Sequence, residues 1–199
     1  MQQESGRRSN KERSDFTRGA LISAGRRLFL EREYAETGTP DIVAAAGLTR
    51  GALYHHFEDK KALFHAVVEA EARAVEQEIE RAAPDDMPAR QALVTGGEAY
   101  LEAMAAPGRT RLLLLDGPAV LGRAAMDEID DRHATRSLRA GILFALRAGE
   151  LPQGLPVDAA TQLLAAAYDR AALSIAAGGD AGAYRLALAQ LVDGLAALA

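Results

Sequence analysis

The chain has 199 residues, 49% of them apolar, with 23 Lys+Arg against 28 Asp+Glu and a net charge of −5. Area scaling has a chain of this length bury roughly 70% of its extended surface, so the core needs no metal or disulfide staple. Cysteine is absent, which excludes disulfide frameworks, zinc thiolate sites and thiol nucleophiles and fits a reducing cytoplasm.

Alternating Val/Ile/Thr/aromatic stretches do not occur, whereas Ala, Leu, Glu and Arg recur at helical spacing. The chain therefore reads as all-α. Residues 1–14 read as a flexible basic arm carrying Arg7, Arg8, Lys11 and Arg13. No apolar segment follows them and no run approaches the ~18 residues of a membrane span, so neither a signal peptide nor a membrane partner is expected. A helix is predicted from Thr17 to about Arg32, with Leu21, Ala24, Gly25, Leu28 and Phe29 on one face. Thr39 is placed as the cap of a short helix, Pro40 to Ala46, which Gly47 ends in a left-handed conformation. Thr49 caps the next helix, Arg50 to His56, and a long helix follows from about Lys60 to Ala82. Pro84, Asp85, Asp86 and Pro88 read as a linker. Beyond it helices are expected near 89–105, 109–115, 119–149, 157–177 and 181–198, about nine in all.

Charge divides along the chain. Residues 1–65 carry 11 Lys+Arg and 9 Asp+Glu, and residues 66–199 carry 12 and 19. A mildly basic head on an acidic body points the head alone towards a polyanion. The segment 39–57, TPDIVAAAGLTRGALYHHF, has the layout of a helix-turn-helix. Ile42, Val43 and Ala46 can share a small core with Leu48, Leu53 and Phe57, and Gly47 supplies the turn. The Thr49 cap leaves Arg50, Gly51, Tyr54 and His55 facing outward, where such a helix fits the DNA major groove.

Thr17-Arg18, Phe29, Tyr34, Thr37, Ile42, Ala46-Gly47-Leu48-Thr49, Gly51, Leu53-Tyr54-His55-His56-Phe57, Lys60, Leu63 and Val67 closely resemble the tetracycline-repressor (TetR) family of bacterial regulators. The resemblance is strong over residues 14–70 and architectural beyond. It implies a three-helix DNA-binding domain over 15–60, joined by a long helix to a helical ligand-binding and dimerisation domain over 61–199. It also implies double-stranded operator DNA as a partner. Thr49, Arg50, Gly51, Tyr54 and His55 would touch the operator, with Thr37, Thr39 and Lys60 on the same DNA-facing side and the last two on phosphates. Three positions depart from the family pattern: Glu33 where a glycine is usual, Val43 for a usual alanine, and the entry Gly38-Thr39-Pro40. What is expected is a ligand-responsive repressor, with a ligand sensor whose head no longer reads an operator as the alternative.

An enzyme lacks any named acid, base or nucleophile. No cofactor or metal is expected: His65 and Glu69 stand at i, i+4 with no third ligand. Asp127, Glu128, Asp130 and Asp131, near His133, read as a solvated helix face. Leu93, Leu101, Met104, Leu113, Met126, Ile129, Leu143 and Leu164 are expected to wall a cavity for a small, largely apolar effector. Tyr100, Asp116, His133, Tyr168 and Asp169 are its candidate polar contacts. Tyr184, Leu188, Leu191, Leu195 and Leu198 repeat at 4-3-4-3 spacing, and Leu163, Leu164, Ala167, Ala171, Ser174 and Ile175 form a stripe on the preceding helix. A monomer core can absorb both stripes. The family resemblance favours a homodimer instead, with Leu164, Ala171, Ile175, Leu188, Leu191 and Leu195 at its interface.

Overall fold

The computed structural model describes residues 10–84 and 87–196. Arg7 and Arg8 of the expected arm, Asp85 and Asp86 of the linker, and Leu198 of the C-terminal stripe lie outside these. The described residues form helices and connecting turns, and they divide into two units, 1–68 and 69–199.

The first unit holds α1 (Asn10–Glu36), α2 (Thr39–Ala45), α3 (Arg50–His56) and the start of α4 (Lys60–Ala82). Helix α1 begins earlier than predicted, so Lys11 and Arg13 sit on a helix and not on a loose arm. Its regular part ends at Arg32, because Glu33 adopts φ 66° and ψ 165°, a region that glycine enters without cost and other residues at roughly 1–3 kcal/mol. Two features hold this break. The buried Thr37 hydroxyl lies 2.6 Å from the Glu33 carbonyl and 3.2 Å from that of Leu28. The Lys60 ammonium, 2.8 Å from the Tyr34 carbonyl, donates to it and rests 4.2 Å above the Tyr34 ring.

Leu21, Leu28, Phe29, Ile42, Leu53, Phe57, Leu63 and Phe64 make the core of this unit. The Phe64 ring packs edge-on against both Phe29 and Tyr34 at 5.1 Å. Each such fully buried side chain contributes about 1.5–3 kcal/mol.

The second unit contains the rest of α4 with α5 (Ala89–Met104), α6 (Arg109–Arg111), α7 (Gly117–Leu121), α8 (Arg123–Arg132), α9 (Ala134–Arg147), α10 (Val157–Ala176) and α11 (Ala181–Ala196). Residues Leu112–Asp116, directly after α6, form a π-helical turn. Helix α5 packs on α9, α10 and α11, around a core of Leu93, Ile142, Ala145, Leu151, Leu164 and Val192. At Gly141 of α9 a Cβ would stand 2.8 Å from the Leu93 side chain, so the glycine lets α5 and α9 approach closely.

The single helix expected over 119–149 is three. Gly122 breaks it with φ 91°, and His133 breaks it again with φ −124° and ψ −110°. Both His133 ring nitrogens meet carboxylates of α4: Nε2 lies 2.9 Å from Glu69 and Nδ1 2.8 Å from Glu76. The buried Glu76 and the partly buried Glu69, 57 and 64 residues upstream, thus hold the imidazole where the backbone departs from the helix. Glu69 also accepts from Arg132 at 2.6 Å, and Glu76 accepts from Arg136. A second buried cluster joins Arg109 to Glu71 at 3.0 Å and to Glu78 at 3.1 Å, the guanidinium also donating to the Ala103 carbonyl at 2.6 Å. Carboxylates at 69, 76 and at 71, 78 thus recur every two turns of α4, each pair set against its own basic partners.

Candidate functional site

The short helix α3 owes its placement to its two flanks. After α2, Gly47 turns left-handed at φ 65°, and the Leu48 and Gly47 amides donate back to the Val43 and Ala44 carbonyls at 2.9 and 3.1 Å. This is the helix-ending arrangement that glycine permits. Thr49 then caps α3, its hydroxyl accepting from the Ala52 amide at 3.2 Å. Leu53 and Phe57 turn inward and are buried. Thr49, Arg50, Gly51, Tyr54 and His55 are left on the exposed face.

On that face the Arg50 guanidinium lies 5.4 Å from the Tyr54 ring centroid, an exposed cation–π contact worth about 0.5–1 kcal/mol. The Thr39 hydroxyl and then the Arg50 guanidinium beside it hold the Tyr54 phenol below its ordinary pKa. A Cβ on Gly51 would meet only the Thr49 hydroxyl, at 3.8 Å. The glycine therefore answers no packing need inside the protein. His55 and His56 meet edge-on at 5.1 Å. Partial burial, then the neighbouring His55 and Arg18, lower the pKa of His56.

Two expectations about this head are corrected. Thr37 is 1% exposed, with its hydroxyl on the α1 carbonyls, and so does not face DNA. Thr39 is the first residue of α2 and does not cap it; Gly38 holds that position without a side-chain bond. Lys60 donates one of its three ammonium N–H groups to the Tyr34 carbonyl at the end of α1.

In the second unit α4, α5, α8, α9, α10 and the π-turn enclose a cavity of about 620 Å³. Its walls include Ala72, Val75 and Ile79 of α4, and Leu93, Leu113, Leu138 and Phe144. Of the expected polar contacts, Tyr100, Tyr168 and Asp169 line it. The Tyr100 hydroxyl donates to Asp169 at 2.5 Å, and the two tyrosine rings meet edge-on at 5.9 Å. Burial and the adjacent Asp169 carboxylate push the Tyr100 pKa well up, and burial raises that of Tyr168 to about 12.

The other candidates lie elsewhere. His133 is buried in the Glu69–Glu76 clasp, and Asp116 pairs with Arg111 at 3.1 Å. Met104 is packed away in the core, and Met126 presses its sulfur against Gly117. Leu101, Ile129, Leu143 and Leu164 are likewise not on the cavity wall. Sequence reasoning missed Asp127, Asp130, Asp131 and Arg123, which do line it. The i, i+3, i+4 spacing of 127, 130 and 131 was the available signal, but a face turned to an internal space has the same pattern as one turned to water.

The expected interface stripe also divides. Leu164, Ala171 and Leu188 are 6%, 1% and 5% exposed and belong to the core of their own chain. Ile175 and Leu195 are half-buried, and Leu195 packs on that core. Leu163, Leu186 and Leu191 instead stand 73%, 62% and 52% exposed on α10 and α11.

A model of bacterial regulatory proteins of the tetR family matches residues 21–67, and a tetracyclin repressor-like C-terminal domain matches residues 90–199. The chain belongs to the TetR family, whose members are transcriptional regulators and not enzymes. A TetR-family transcriptional regulator of Pectobacterium atrosepticum is 35% identical, with 96% of this chain and 95% of that one covered and a TM-score of 0.69. The HTH-type transcriptional repressor BepR of Brucella suis is 39% identical over 72 residues, 36% of this chain and 34% of its own length. The chain thus spans about a third of the length of the curated relatives it matches. FadR of Bacillus subtilis, solved in complex with stearoyl-CoA, shares the fold with a TM-score of 0.75 at 17% identity, covering 87% of this chain and 96% of that one.

Proposed function

We propose that the protein is a homodimeric repressor that binds a palindromic operator through α3 and is released by a small, largely apolar effector. The observation that carries this reading is the exposed face of Arg50, Gly51, Tyr54 and His55 behind a glycine turn and a threonine cap. Thr49, Arg50 and Tyr54 supply donors for base edges and phosphates, and bare Gly51 admits the DNA backbone. A two-fold dimer presenting one such helix per subunit reads half-sites about one helical turn apart, ~34–36 Å. The exposed Leu163, Leu186 and Leu191 supply an apolar face for the second copy.

The cavity fits the effector role in size, with aliphatic walls from α4, α5 and α9 facing a polar side that carries Tyr100, Asp130, Tyr168 and Asp169. Helix α4 runs unbroken from Lys60 at the head to Ala72, Val75 and Ile79 on the cavity wall, so an occupant that shifts α4 changes the spacing of the two α3 helices. A nearly complete switch needs about 5.5 kcal/mol of preference for one spacing. The test selects bound sequences from random duplexes with the purified protein. A palindrome with one-turn spacing, lost when small apolar molecules are added, is the expected result; no enriched sequence would leave the ligand sensor with a silent head.

A further inference from the structure

We propose that His133 is a positioning residue for operator binding: its imidazolium clasps α4 to the break between α8 and α9, and operator affinity falls when the ring loses its proton. This rests on the operator reading above, in which the position of α4 sets the spacing of the two α3 helices. The ring is buried at the break. Its Nε2 lies 2.9 Å from Glu69 and its Nδ1 2.8 Å from Glu76. Burial disfavours the charged form of both glutamates, but hydrogen bonds from the ring and from Arg132 or Arg136 outweigh it and hold both carboxyls below their ordinary pKa. An ionised carboxylate only accepts, so both ring nitrogens donate, and only the imidazolium carries two N–H groups. A neutral ring turns a lone pair towards one of the carboxylates and keeps a single bond.

The other charges of the clasp are carboxylates and guanidinium groups. Arg132 of α8 faces Glu69 and Glu128, and Arg136 of α9 faces Glu76 and Glu80. Groups of these kinds ordinarily keep their charge near neutrality, whereas an imidazole gives up its proton there. Nearby on α8, Asp130 is raised to about 7 by burial and then by Asp169 and Asp127, so it titrates in the same range and has to be separated. The opposite face of α4 is pinned by charge that does not titrate. Glu71 and Glu78 stand two residues beyond Glu69 and Glu76, roughly 200° around the helix, and both accept from Arg109, a residue type that stays charged in proteins. Deprotonation of His133 therefore frees one face of α4 and leaves the other held. A helix gripped on one face samples more positions, and the fraction of molecules at operator spacing falls. The clasp also borders the cavity, which is lined by Asp130 and Asp131 just before the break, Ala134 and Thr135 just after it, and Ala72 and Val75 between the two glutamates.

The test follows the affinity of the natural protein, His133→Gln and Asp130→Asn for the selected palindrome over the imidazole range, from about pH 6 to about pH 9. Glutamine keeps a neutral donor but has no proton to lose. At the lower pH His133→Gln is expected to bind about tenfold more weakly than the natural protein, the lower end of what a hydrogen bond to a charged group is worth. The gap should close towards the upper pH, where the natural ring is neutral. His55 and His56 of α3 are common to all three proteins and cancel in the ratio, and Asp130→Asn should keep the natural profile. A gap that does not change with pH would make His133 merely structural and overturn the proposal, as would a profile that turns flat in Asp130→Asn. Hydrogen exchange on the natural protein, corrected for the intrinsic rate, needs neither a variant nor DNA. Protection of residues 123–141 should fall from the lower to the upper pH while that of 103–112, around Arg109, holds; unchanged protection of both would overturn the clasp. If no palindrome is selected, the operator reading fails and the exchange measurement still decides whether the ring's proton holds α4.

Discussion

Single residues carry two opposed requirements here, and each can be separated by substitution. Gly51 has open space where a Cβ would go, and alanine is the better helix former by roughly 0.5–1 kcal/mol. Gly51→Ala should therefore raise the unfolding free energy by up to about that amount while weakening operator binding by about 1 kcal/mol or more. Denaturant titration and DNA binding on the same preparation check both signs; unweakened operator binding would mean that the DNA backbone does not approach this position. Asp130 is the counterpart in the cavity. Burial, with Asp169 and Asp127, raises its pKa from 3.8 to about 7, so the folded state prefers the neutral acid. Stability linked to it is then present at low pH and is lost as pH rises through about 7. Asp130→Asn should stabilise the protein by about 1–3 kcal/mol at a pH above 7 and by almost nothing near the unfolded value. Unfolding curves at the two pH values would show it.

At the scale of elements, α4 is held by paired carboxylates. Burial raises the pKa values of Glu69 and Glu76, but hydrogen bonds from Arg132 and His133 to the first, and from His133 and Arg136 to the second, outweigh it and leave both below the ordinary 4.5. Depressed carboxylates contribute stability above their unfolded pKa and lose it as pH falls through the folded value. His133→Leu leaves both glutamates without the imidazole and should cost about 1–3 kcal/mol at neutral pH. It should also flatten the loss of stability below about pH 4.5, measured by denaturant titration across that range. Local chemistry made α2, the Gly47 turn and the Thr49-capped α3 legible in the sequence, because each is decided within four or five residues. The end of regular helix at Arg32 was expected as well, but what holds Glu33, and the break at His133, were not legible in the same way. Glu33 is held in a glycine conformation by contacts from Thr37 and Tyr34–Lys60, and His133 by glutamates about 60 residues away. Amphipathic spacing groups residues along a helix, but it does not say whether each meets core, cavity or partner. That is why Leu164 and Leu188 were expected at an interface and lie in the core, and why Asp130 was expected in water and lies on the cavity wall.

For the whole molecule, assembly and DNA reading are the two properties to measure. The exposed Leu163, Leu186 and Leu191 make Leu191→Glu a clean probe, because at 52% exposure the glutamate stays hydrated in the monomer and is buried only if a second copy covers it. Sedimentation should show a dimer weakened by several kcal/mol with the helical content unchanged; an unaltered dimer would place the interface elsewhere. The central claim is that α3 reads DNA with Arg50 and Tyr54. It is tested most directly by the affinity of the natural protein, Arg50→Ala and Tyr54→Ala for the selected palindrome and for a scrambled duplex, at one salt concentration. Each substitution is expected to cost about 1–3 kcal/mol on the palindrome and much less on the scrambled duplex, whereas equal losses on both, or none on either, would contradict the account.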